Sequence, residues 1–233
     1  GKLSDAKVEL ANDIDLGGRN WTPIGRNYSY SFKGTFDGKG FEVKNLQINA
    51  TEKSQALFGH VNGGTVRNLT VSGSVTSNKD DTAGIVATLT GNGLVENCIN
   101  RVNVKGTMYT GGVVGDVTSG NTNRIENCVN HGTVEGSSPT GGILGRANYG
   151  VVIVNVYNRG LVSGSSNTGG IVGQLSDRGA KLSNAYTTGT DMPAVGKKTS
   201  GTVDTATVFY LGTAGTDANA TAKSETELKA AAG

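Results

Sequence analysis

The octapeptide TGGILGRA occupies residues 140–147, and close copies stand at 110–117 (TGGVVGDV) and 168–175 (TGGIVGQL), 30 residues before it and 28 after it. Working upstream from each copy extends the match to a longer unit: GNGLVENCINRVNVKG at 91–106, TNRIENCVNHGTVEG at 122–136 and VVIVNVYNRGLVSG at 151–164. Looser copies flank these. GGTVRNLTVSGSV at 63–75 leads into TAGIVATL at 82–89, FEVKNLQI at 41–48 into ALFGHV, and AKLSNAYTTG at 180–189 into AVG at 194–196. A period of about 28 residues is the signature of a repeat architecture.

Stacking the copies produces columns. Asn45, Asn68, Asn97, Asn127, Asn155 and Asn184 align, with an aliphatic residue two before (Val43, Val66, Val95, Ile125, Ile153, Leu182) and Leu46, Leu69, Cys98, Cys128, Val156 or Ala185 one after. Two inward positions three residues apart break the alternation of a straight strand. The Asn is therefore expected at a bend, in the left-handed conformation that Asn tolerates, with its amide free to bond the next copy. Short strands parted by Gly and Asn, with no 3.6-residue period, fit a coiled stack in which each copy is one turn, since a lone turn cannot bury enough of itself to be stable. The expected fold is all-β: a right-handed parallel β-helix of about seven turns, one domain over 1–233, with repeat turns at about 41–200 and a cap at about 201–233. Propeller blades need a longer period. The cap is expected to end in a short helix, because SETELKAAAG at 224–233 opens with the capping-box pair Ser224 and Glu227.

Composition narrows the function classes. Of 233 residues 37 are Gly and only 3 Pro, without the Gly-X-Y period of collagen, which agrees with turns and β-structure. A net charge of +2 with both signs interspersed gives no nucleic-acid footprint. No apolar run reaches the roughly 18 residues of a membrane helix.

LANDIDLGGRNWTPIG at 10–25, FKGTFDGKGFEVKNLQI at 32–48, ALFGHV and the GGIVG-type turns resemble the GLUG-motif repeats of bacterial surface proteins, which also accompany M26-type immunoglobulin A1 peptidases. The resemblance implies an exported, secreted or cell-surface protein, of which this chain is a piece, with an adhesin-like or accessory role. It implies no peptidase chemistry, because the HExxH zinc motif of those peptidases is not in the sequence.

Enzymatic and binding readings compete for the outer face. A polysaccharide lyase or glycoside hydrolase needs carboxylates gathered with Arg or Lys. The columns predict only a cross-turn pair of Arg67 with Glu96, while Asp37, Asp80, Asp81, Asp116 and Asp177 read as solvated turn residues. FDGKG lacks the successive oxygen ligands of a calcium loop, and neither His60 nor His131 has a nucleophile motif beside it. Neither a metal nor a cofactor is therefore expected. Cys98 and Cys128 share a column and are expected as stacked thiols, since Cβ atoms about 4.8 Å apart are slightly too far for a relaxed disulfide, although export would permit that bond. Thr82, Thr110, Thr140 and Thr168 form a further column, a poor flat lattice for ice. Arg101, His131 and Arg159, four residues after the Asn, make a basic strip beside Tyr157 and Tyr186. That strip is the expected binding surface of a non-catalytic module for carbohydrate or a host protein, with an acidic glycan as the best fit.

Overall fold

A computed structural model describes residues 6–177, 179–189, 192–212, 217–224 and 226–227. The chain is an all-β parallel solenoid with three stacked walls. One sheet holds strands such as Thr65–Arg67 and Thr70–Ser77, a second holds two-residue strands such as Thr140–Gly141, and a third runs through Phe58–Asn62, Val86–Thr90, Val114–Val117, Leu144–Ala147, Val172–Leu175 and Val195–Lys198. Six strands in the third wall make about six turns, against about seven expected from the repeats.

The register follows the sequence columns through the middle of the chain. Val66, Val95, Ile125, Ile153 and Leu182 lie strand over strand, as do Thr82, Thr110, Thr140 and Thr168. The aliphatic columns feed one core cluster that runs from Leu10 to Val208 and includes Cys98 and Cys128, both free and fully buried. Burial, and then the neighbouring Cys128 thiol, push the Cys98 thiol well up from its ordinary range. Thr82, Thr110 and Thr140 are fully buried, so this column presents no hydroxyl lattice to solvent.

The solenoid extends beyond 41–200 at both ends. Lys7–Glu9 pairs with Thr35–Asp37, and Val208–Leu211 continues the stack from Ala185–Thr187 and pairs with Thr221–Lys223. These outer turns carry other residues at the repeat positions, which hides them from sequence alignment. Ser224 and Glu227 do form a capping box, with Ser224 N donating to Glu227 Oε2 at 2.8 Å and Glu227 N to Ser224 Oγ at 3.3 Å. The remainder of the expected helix, 228–233, lies outside the described residues.

Two Asn ladders run along the stack, and the repeat columns revealed only the outer one. Asn68, Asn97, Asn127, Asn155 and Asn184 all sit at a bend with φ between 46° and 54°. Asn97 donates to Asn68 (3.1 Å), Asn155 to Asn127 (2.9 Å) and Asn184 to Asn155 (3.2 Å), on a face open to solvent. Asn45 does not belong to this ladder. The strand Thr65–Arg67 stacks on Thr35–Asp37, so Phe36 rather than Val43 underlies Val66, and Asp37 accepts from Asn68 at 3.0 Å. Asn45 instead sits at a bulge in Glu42–Ala50 and donates to Asp15 at 2.9 Å. It too has a left-handed φ, which is why its sequence context mimics the column.

The inner ladder is Asn100, Asn130 and Asn158, all fully buried. Asn100 donates to Asn130 (2.7 Å) and Asn130 to Asn158 (2.8 Å), and the ladder ends on Thr187 Oγ1 at 3.4 Å. Each amide also closes its own turn two residues on. Asn130 Nδ2 donates to the Gly132 carbonyl at 2.9 Å and Gly132 N donates back to Asn130 Oδ1 at 3.2 Å, a bond pair that the other two rungs repeat. This ladder explains the second glycine of TGGILGRA, whereas Gly141 and Gly145 are crowded by neighbouring backbone. A Cβ on Gly84, Gly112 or Gly142 would overlap the side chain of Asn100, Asn130 or Asn158, and at Gly142 also the Gly170 carbonyl oxygen.

Asn130→Ala should therefore cost about 1–3 kcal/mol or more in chemical denaturation, since it strands buried partners. Asn127→Ala, on the exposed ladder, should cost under about 1 kcal/mol because water replaces the lost bond. Equal losses would mean that burial does not separate the two ladders.

Gly142→Ala should destabilise by several kcal/mol or prevent folding, because the neighbour it meets is backbone as well as side chain. A variant as stable as the parent in thermal unfolding would refute the packing account of the glycine column.

Candidate functional site

The inner ladder sets the outward direction of the residue that follows each rung. Arg101, His131 and Arg159 come next after Asn100, Asn130 and Asn158, and all three are exposed. His131 N donates to the Asn100 carbonyl and Arg159 N to the Asn130 carbonyl, both at 2.8 Å, which holds the three on successive turns. Among the described residues no carboxylate lies within ion-pairing distance of Arg101 or Arg159. Burial, and then the charges of Arg159 and Arg101, lower the His131 pKa from its ordinary value. At neutral pH two guanidinium groups therefore flank a neutral imidazole.

Tyr157 and Tyr186 lie beside the strip with ring centroids 3.8 Å apart and planes 20° apart, and Phe209 follows them in register. The stack covers one face of each phenol, so the tyrosines offer edges and hydroxyls rather than an open platform. Burial, and then its bond with Tyr186, raise the Tyr157 pKa. Arg159 reaches over Tyr157 at 5.9 Å from the ring centroid.

The third wall carries a second polar row, of which the sequence reading assigned Asp116 alone to a solvated turn. His60, Thr88, Asp116, Arg146, Gln174 and Lys197 are in register. Asp116 is only 1% exposed and takes both Arg146 Nε (3.0 Å) and Arg146 Nη2 (2.5 Å), while the guanidinium stacks on Tyr109 at 3.6 Å. Despite those bonds, burial raises the Asp116 carboxyl. The pair was legible: TGGVVGDV and TGGILGRA place Asp and Arg at the same position of adjacent copies. Asp37 is likewise buried rather than solvated, and it holds Arg67 at 3.0 Å, closer than the 3.8 Å from Arg67 to Glu96. Asp37 also accepts from Lys39 N at 2.9 Å, so FDGKG spends this carboxylate on protein donors.

Asp81 is the exception among these carboxylates. Its backbone pairs with Met108 and Gln55 at a φ of 63°, but its carboxylate has no hydrogen bond or ion pair among the described residues, and burial, then the Asp116 charge, push its pKa up to about 6. Nearby, Ser54 Oγ lies 3.0 Å from His60 Nε2, a Ser–His contact that the sequence motifs did not signal, while His60 Nδ1 is buried without a partner. Burial lowers the His60 pKa. No carboxylate orients this imidazole, so the third member of a triad is missing among the described residues. Nor do those residues hold a group of three or more His, Cys, Asp or Glu arranged for a metal.

Comparison with known proteins agrees on architecture. A solved chain from Bacteroides ovatus, named "putative immunoglobulin A1 protease", superposes with a TM-score of 0.68 at 21% identity, covering 96% of this chain and 79% of that one. At that identity the likeness shows the fold. Halomucin of Haloquadratum walsbyi is 31% identical over 105 residues, and a "Putative Gly-rich membrane protein" of Evansella cellulosilytica is 34% identical over 94. The matches cover 44% and 39% of this chain but only 1% and 11% of those proteins. No family model matches. No helix among the described residues is long and apolar enough to cross a membrane.

The Asp81 carboxyl gives a signed pH test. Its folded pKa of about 6 exceeds the ordinary 3.8, so its protonation favours the folded state below about pH 4, and that contribution is lost as pH rises through 6. Asp81→Asn, which stays neutral, should stabilise the fold at pH 7.5 by on the order of 3 kcal/mol at most, seen as a higher melting temperature, and should lose the advantage below pH 4. Lower stability than the parent at pH 7.5 would show that Lys53 and Arg146 outweigh burial.

Proposed function

We propose that the chain is a non-catalytic module displayed outside the cell, adhesin-like or a stalk, which binds an acidic glycan along Arg101, His131 and Arg159. The observation that carries this reading is the register: three successive turns present Arg, His and Arg, unpaired by any carboxylate, at the solenoid pitch of about 4.8 Å. An extended polyanion can meet such a row repeatedly, and guanidinium groups form paired bonds to carboxylate or sulfate. The extracellular setting draws on the kinds of protein the chain resembles, a mucin-named relative and one named as a membrane protein among them. The tyrosine hydroxyls beside the strip supply further polar contacts.

Arg101→Ser with Arg159→Ser should abolish retention on columns of sulfated or uronic glycans at low salt. Parent retention should itself fall as ionic strength rises, because exposed charges are screened beyond about 8–10 Å. Unchanged retention in the double variant, or none by the parent, would reduce the strip to a solvated edge.

A lyase or hydrolase is the second reading, and the observation behind it is that Asp81 and Glu52 line one pocket with Lys53. It requires release of new reducing ends from a polysaccharide by the parent and none by Asp81→Asn.

A further inference from the structure

We propose that the pocket over His60 is a second saccharide site, which takes a single neutral pyranose. It does not rest on the basic strip, because its residues lie on the other side of the repeat unit.

The chain leaves and rejoins the stack at His60: His60 N donates to the Gly25 carbonyl at 2.6 Å, and Phe32 N donates to the His60 carbonyl at 2.8 Å. The intervening loop carries a short 3-10 helix, Tyr28–Tyr30, capped by Asn27, whose side chain accepts from Tyr30 N at 3.1 Å. Across from it stand Ser54 and Asp81, both in left-handed conformations. Arg26, Asn27, Glu52, Ser54, His60 and Asp81 line an open depression of ≈ 540 Å³ that Lys53 also borders.

Three features point to a ligand and to its class. The first is unused hydrogen-bonding capacity. His60 Nδ1 is buried without a partner while Nε2 lies 3.0 Å from Ser54 Oγ, and the half-buried Asp81 carboxylate takes no hydrogen bond from the described residues. A buried polar atom left open is costly unless something satisfies it. The second is charge: Lys53 is held by Asp80 at 2.8 Å, which leaves Arg26 against Glu52 and Asp81. A ligand of either sign would meet its own charge at contact distance, whereas a polyol supplies donors to the carboxylates and acceptors to the guanidinium and imidazole. The third is aromatic: Tyr28 and Tyr30, on the same loop as Arg26 and Asn27, are 67% and 64% exposed, and the Arg26 guanidinium lies 4.7 Å from the Tyr30 ring centroid. Unlike Tyr157 and Tyr186, these rings are not stacked on one another and can lie against the C–H face of a sugar.

The test is saturation-transfer NMR on the whole chain with methyl glycosides of the common neutral hexoses as probes and methyl glucuronide as the charged comparison. At least one neutral hexoside should receive saturation. Tyr30→Ala and Asp81→Asn should each weaken it by about tenfold or more, through loss of the ring face and of a charge-assisted acceptor. The Arg101→Ser, Arg159→Ser variant should bind the hexoside like the parent, so this site and the strip fail separately. Thermal unfolding of each variant establishes that it is folded. The proposal is overturned if no neutral hexoside is saturated, if only the glucuronide is, or if both folded pocket variants bind like the parent.

Discussion

The buried amides of Asn100, Asn130 and Asn158 are the constraint on which the other features of the central turns depend. Each carboxamide has four hydrogen-bonding positions, and the stack uses them along two directions: to the next rung, and to the backbone two residues ahead. A buried amide that missed either set would be costly, so the turns can stack only in the register that satisfies both. The glycine column follows from this, because the amides fill the volume that a side chain on Gly84, Gly112 or Gly142 would need. Gly112 and Gly142, each the second glycine of a TGG, are thus the imprint of the Asn rung in the following copy.

Register fixed from within determines what the outside can present. Because the rung is immobilised, the next residue points to solvent at the same place on every turn, and Arg101, His131 and Arg159 become a row. Arg and His on neighbouring turns would separate on a flexible surface, since like charges close together raise the energy of both. The depressed His131 pKa records that tension, with burial as its larger cause. A scaffold that holds cations close without neutralising them stores binding capacity for an anion.

The third wall handles charge in the opposite way. Asp116 is almost wholly buried, yet Arg146 satisfies both carboxylate oxygens and is itself covered by Tyr109, so the pair is closed to ligands. Asp81 lies near the same ion pair but shares none of its bonds, and its raised pKa is the consequence of burial beside a second carboxylate. Ser54, Asp81 and Tyr109 all have left-handed φ, and Ser54 and Asp81 border the depression over His60.

Sequence alone determined the stacked parallel fold, because a repeat of about 28 residues with aliphatic and Asn columns has few ways to bury its apolar face. It also placed the bend at the Asn, since left-handed backbone favours that residue, and it aligned Arg101, His131 and Arg159. The N-x-x-N spacing of Asn97 with Asn100, Asn127 with Asn130 and Asn155 with Asn158 was there to be read, but nothing in the sequence columns marks the second Asn as buried. Only tertiary structure decided that burial, because a buried amide is tolerated once neighbouring turns supply every partner, and those partners come from other copies of the repeat. The misplacement of Asn45 has the same origin: local sequence set its left-handed φ, while strand pairing, a long-range property, assigned it to a bulge. The pocket over His60 was invisible for a plainer reason. Its walls come from residues 26–27, 52–54, 60 and 81, which share no single repeat column, and only the folding of one loop back onto His60 brings them together.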